Sequence, residues 1–98
     1  MPVHRIVLFR LKKDATKEQI ADFIASSRAV VGKTPGVISN NAGPPVDDSR
    51  AKGYSMGVVL TLESKENLKT WAESPEHIRL HELREAICED SLAYDIEF

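Results

Sequence analysis

VHRIVLFRLK, residues 3–12, decides the fold, because it is apolar on both of its faces. Successive side chains of an extended chain alternate sides. Ile6 and Leu8 therefore point one way, while Val7, Phe9 and Leu11 point the other. The run is short and rich in Val, Ile, Leu and Phe, which makes it a strand rather than a helix. A strand apolar on both sides needs cover on both. Arg5 and Arg10 break the run too soon for the core of a signal peptide, and no stretch reaches the roughly 18 apolar residues of a membrane-spanning helix.

Working outward, Thr16 and Gln19 form a capping-box pattern, and Ile20, Phe23, Ile24, Val30 and Val31 approximate a helical recurrence that Gly32 stops. KTPG (33–36) turns the chain into a second strand beginning at Val37 and Ile38, and NAGPPVDDSRAKG (41–53) reads as a loop. Tyr54 to Leu62 alternates as a third strand, with Tyr54, Met56, Val58, Leu60 and Leu62 on one face. Ser64 is expected to cap a short helix through Leu68, Trp71 and Ala72. Ser74 caps the next, with Pro75 at the first helical position, where a missing N–H costs nothing. That helix should run about three turns to near Cys88, and Ser91 to Phe98 alternates as the last strand.

The order β-α-β-β-α-β is that of an α+β, ferredoxin-like split βαβ unit, an antiparallel sheet with its helices on one face. Residues 1–98 are read as one domain. The other sheet face, apolar as residues 3–12 require, has no remaining sequence to cover it. The expected cover is a second copy of the chain, sheet against sheet in a two-fold homodimer.

Thirteen Lys and Arg against fifteen Asp and Glu give a net charge of −2 with no block of either sign, so neither nucleic acid nor an anionic membrane is an expected partner. One cysteine, Cys88, allows no internal disulfide and suits a reducing, cytoplasmic compartment. It reads as a packing residue. Asp47 and Asp48 read as a solvated turn.

SPEHIRLHEL (74–83) carries two of the three histidines, His77 and His81, four apart and so neighbours on one helix. A zinc site needs more: Ile78 stands where a zincin has glutamate, no cysteine lies at ligand spacing, and catalytic zinc normally takes three protein ligands. No metal is expected. On a helical wheel, Leu80, Leu83 and Ile87 define the apolar face, leaving His77 at its border and His81 on the exposed side. Phe23, Tyr54, Met56, Trp71, Leu80 and Tyr94 fall on apolar faces and are expected to line a cavity between sheet and helices. His4 is either an edge residue or a second polar group near the helix layer.

HRIVLFRLK, KTPGV, RAKGYSMGVVLTLES and SPEHIRLHE together resemble, in order and over nearly the whole chain, the stress-responsive A/B barrel domain of the dimeric α+β barrel superfamily. The resemblance implies a ferredoxin-like protomer paired into a barrel-like homodimer that encloses a site for an apolar small molecule. Family members include plant stress-induced proteins and a plant polyketide cyclase that needs no cofactor. His77 falls on the family's cavity-lining histidine, which in the cyclase is the base of an aldol-type ring closure. Ser74 replaces the first histidine of that segment and keeps its capping role. Trp71 stands where the cyclase has tyrosine, and Arg5 and Met56 where it has histidines. Two functions follow as expectations: a cofactor-independent cyclase or lyase using His77 as general base, or a non-catalytic protective or ligand-binding protein. A third, the quinol-oxidising monooxygenase branch, fits the pattern less closely.

Overall fold

The stretch 3–12 forms an interior strand. In the computed structural model, which describes residues 1–98, β1 (Val3–Leu11) is followed by α1 (Lys17–Ala29), β2 (Val37–Gly43), β3 (Met56–Leu62), α2 (Asn67–Glu73), α3 (Pro75–Glu85) and β4 (Cys88–Glu97). The strands make one antiparallel sheet in the order β2-β3-β1-β4, and the helices cover one face. This is the ferredoxin-like arrangement expected from the element order.

The capping box is present in full: Thr16 Oγ1 accepts from the Gln19 N–H while the Gln19 side chain accepts from the Thr16 N–H. Gly36 has φ of +84°, and a Cβ there would fall 2.3 Å from the Asn67 side chain, so the KTPG turn requires glycine. Four boundaries differ from expectation. The second strand runs on to Gly43, so Asn41, Ala42 and Gly43 of the stretch read as loop pair with β3. The third strand begins at Met56 rather than Tyr54, because the loop before it is tied down by Arg10, which stacks 4.2 Å over the Tyr54 ring and donates to the Lys52 carbonyl. Ser64 does not cap α2. Its hydroxyl donates to Asn67 Oδ1, and the cap position is Glu66, which contributes no side-chain bond. The last strand begins at Cys88 rather than Ser91, because a shift in register between Arg10 and Leu11 extends its pairing with β1.

Alternation sorts the sheet. Val3, Phe9, Ala42, Met56, Leu60 and Leu62 are buried against Phe23, Val30, Trp71, Leu80 and Ile87, with Phe9 and Phe23 edge to face at 5.4 Å. The opposite face stays open: Val59, Leu92, Tyr94, Ile96 and Phe98 are 40 to 63 % exposed. The total surface of 6187 Å² exceeds the about 5,600 Å² expected of a 10.9 kDa monomer. The excess fits a sheet with one apolar face uncovered. No helix is long and apolar enough to cross a membrane.

Candidate functional site

Between the helix-facing side of the sheet and the three helices lies a cavity of about 350 Å³, within the range of small-molecule sites. Its floor is set by strand alternation: Arg5 and Val7 from β1, Val58 and Leu60 from β3, Ser91 and Ala93 from β4. α1 contributes Phe23 and Ser27, β2 Asn40, and α2 Trp71. α3 contributes His77, Leu80, His81 and Arg84, the i, i+3, i+4, i+7 stripe of a single helix face.

Ser74 sets the entry of α3. Its Oγ accepts from the His77 N–H at 3.1 Å and donates to the Trp71 carbonyl at 2.7 Å, which joins the end of α2 to the start of α3. The His77 ring lies 5.2 Å from that of Trp71, centroid to centroid, and its Nδ1 lies 3.1 Å from the Ala72 carbonyl oxygen. A carbonyl oxygen only accepts, so Nδ1 carries the proton and Nε2 the free lone pair. Burial lowers the His77 pKa below its ordinary value. The Ala72 bond opposes this, and nearby His81, Arg5 and Arg84 reinforce it. The imidazole is therefore a neutral base at pH 7.

His81 holds the opposite tautomer. A guanidinium only donates, so Nδ1 accepts from Arg84 Nη2 at 3.1 Å, and Nε2–H faces Glu85 Oε1 at 3.5 Å. Across the cavity Arg5 is clamped by Asp95, Nε to Oδ1 at 2.8 Å and Nη2 to Oδ2 at 3.0 Å. The pair raises the arginine pKa and lowers that of the carboxyl. Asn40 is 2 % exposed and donates from Nδ2 to the Ser27 carbonyl at 2.9 Å, leaving Oδ1 without a partner.

The structure brings His77 together with Phe23, Trp71 and Leu80 around the cavity. It does not bring Tyr54, Met56 or Tyr94 there. Met56 is 1 % exposed in the core, opposite Phe9. Tyr54 sits under Arg10, just outside the start of β3. Tyr94 pairs with Ile6 and, at 63 % exposure, lies on the open face: alternation in β4 turns Ser91, Ala93 and Asp95 toward the helices and Tyr94 away. His81 is exposed, as expected, and its ring also lines the cavity. The expected apolar face of Leu80, Leu83 and Ile87 packs on the core, and α3 also turns His77, His81 and Arg84 to the cavity. His4 is neither at an edge nor near the helices: on interior strand β1 it faces the open side, bonded to Thr61 Oγ1 at 2.9 Å and against the Phe98 ring. Nowhere do three His, Cys, Asp or Glu side chains converge as a metal-ligand set. Arg84 and Asn40 join the site without having been expected there. The 77, 80, 81, 84 spacing carries the signal for the first, while nothing local marks the second.

Residues 3–98 match the family model described as Stress Responsive A/B Barrel Domain. A stress-response A/B barrel domain-containing protein of Arabidopsis thaliana is 31 % identical over 96 residues, which is 95 % of this chain. The chain spans 35 % of that protein's length. Among solved structures, a dimeric ferredoxin-like protein of unknown function from Jannaschia sp. CCS1 superposes with a TM-score of 0.86 at 21 % identity, covering all of both chains. The hydroxynitrile lyase of Passiflora edulis superposes with a TM-score of 0.85 at 20 % identity, covering 97 % of this chain and 91 % of that one. At such identities the structural likeness establishes the fold alone. Strand order, open sheet face, helix-side cavity and the match over nearly the whole length converge, and the chain belongs to the stress-responsive A/B barrel domain family.

Proposed function

We propose that the chain acts as a homodimer, joined through its open sheet faces, that holds a small organic molecule in the helix-side cavity and uses His77 as a general base on it. The reaction class is a cofactor-independent lyase or cyclase step on a carbonyl compound, in which Nε2 takes a proton from carbon or from a hydroxyl. The observation that carries this reading is the His77–Ala72 bond, which assigns the free lone pair to Nε2 of a neutral imidazole beside an apolar cavity. A histidine whose pKa lies below its ordinary value is mostly unprotonated at neutral pH, as general-base catalysis requires. The Passiflora hydroxynitrile lyase and the Jannaschia dimer, which share the fold, support the reaction class and the assembly. A reducing compartment, the cytoplasm, suits the free Cys88.

The test is His77→Ala assayed with a hydroxynitrile and with a linear poly-β-ketone thioester. The expected result is a folded protein whose turnover falls by about 100-fold or more, in line with the loss of a general base. Undiminished turnover in the variant would refute the mechanism.

A second reading, a non-catalytic protective or ligand-binding protein, is favoured by one observation. Trp71 offers the cavity an N–H on a rigid ring and no hydroxyl, so an acidic O–H opposite the base is absent among the lining aromatics. It predicts retention of a ligand without conversion and tolerance of His77→Gln.

A further inference from the structure

The same cavity is electrostatically one-sided. Arg5, Arg84, His77 and His81 all line it, and no carboxylate does. Arg5 is neutralised by the Asp95 clamp. Arg84 is not matched in this way: Nη2 is spent on the His81 ring, the nearest carboxylate oxygen, Glu85 Oε1, stands 3.9 Å from that nitrogen on an exposed side chain, and Nε is buried without a partner. Only one other buried side-chain polar atom in the chain lacks a partner, Asn40 Oδ1. Both residues line one cavity, a cationic donor on α3 and an acceptor on β2, with the two unpaired atoms themselves shielded from solvent, so a ligand engages them only once these side chains shift. Buried polar atoms are otherwise paired in folded proteins, and an unpaired pair of opposite character marks a place for a group that pairs them. Of the remaining lining, Val7, Val58, Leu60, Phe23, Leu80 and Ala93 are apolar, while Ser27 and Ser91 carry hydroxyls.

We infer that the cavity selects a small organic monoanion: a carboxylate held by the Arg84 guanidinium, on an apolar body that carries a hydroxyl or amide donor for Asn40 Oδ1. A guanidinium recognises a carboxylate through its forked N–H groups, and the Asn40 acceptor adds a requirement for a donor group elsewhere on the ligand. This rests on the reading that the cavity holds a small molecule but not on any chemistry at His77.

Three probes separate the two. 4-Hydroxyphenylacetate carries both groups, 4-hydroxyphenylacetamide lacks the charge, and phenylacetate lacks the donor. Binding is read by calorimetry and by the fluorescence of Trp71, the single tryptophan, which lines the cavity and is 4 % exposed. The acid is expected to bind about tenfold or more tightly than its amide and several-fold more tightly than phenylacetate, and added salt should weaken only the two anions. Arg84→Gln should abolish the preference for acid over amide, read as the ratio of the two affinities in the variant. Arg84→Lys should recover part of that preference, and circular dichroism of both variants checks the fold. Equal affinity of acid and amide for the wild type, or a preference that survives Arg84→Gln, overturns the inference and leaves the small-molecule cavity standing. Binding of the amide alone would overturn it equally, and binding of none of the three would count against the cavity reading as well.

Discussion

At the residue scale, the hydrogen bond from His77 Nδ1 to the Ala72 carbonyl does two things: it fixes the tautomer and ties the ring to the end of α2. The stability consequence follows from the direction of the His77 shift. Its folded pKa lies below the ordinary value of about 6.5, so between the two values the unfolded chain binds more protons and stability rises with pH. The contribution of the neutral ring is present above about pH 6.5 and is lost as pH falls through the folded value. Thermal melts between about pH 5 and 8 should show the wild type losing stability relative to His77→Gln as the solution is acidified. A difference in melting temperature that does not change with pH would contradict the burial that lowers this pKa. The histidine itself was legible from its place after Ser74 and Pro75. Its acceptor was not, because a backbone carbonyl leaves no mark in a sequence.

At the scale of elements, α3 depends on Ser74 as a joint. One hydroxyl satisfies a free N–H of α3 and binds the Trp71 carbonyl at the end of α2, so both His77 and Trp71 take their places from it. Ser74→Ala should cost about 1 kcal/mol, a fall in melting temperature of about 4–8 °C for a domain of this size. Calorimetry checks this, and an unchanged melting temperature would show that the cap contributes nothing. Helix starts such as Thr16 and Ser74 were readable because capping is local. The apolar face of α3 falls where its sequence puts it, with Leu80, Leu83 and Ile87 on the core, and the helix also turns His77, His81 and Arg84 to the cavity.

For the whole molecule, the sheet turns one apolar face to the helices and leaves the other exposed. Leu92, Tyr94 and Ile96 on β4 and Phe98 just beyond it form a row beside Ile6 and Leu8 on β1, an exposed apolar patch of the kind that marks a contact with another molecule. In the proposed homodimer Ile96→Asp would bury a charge between the paired sheets, so light scattering should report a dimer for the wild type and a monomer for the variant at micromolar concentration. A dimer that persists in the variant would place the interface on another surface.

Strand alternation, helix caps, the turn at Gly36 and the two-faced character of β1 are governed by residues within a few positions of one another, and so the element order, the open face and the place of His77 could be read along the chain. The cavity's polar set could not. Arg5 meets Asp95 across 90 residues of sequence and Asn40 meets Ser27 across 13, and which polar atoms remain unpaired is settled only when the sheet and helices close on one another. Tyr54 and Tyr94 show the same division. Each is apolar-faced in its own segment, yet strand register and the Arg10 clamp, both products of long-range pairing, set them outside the cavity that their chemistry alone would suit.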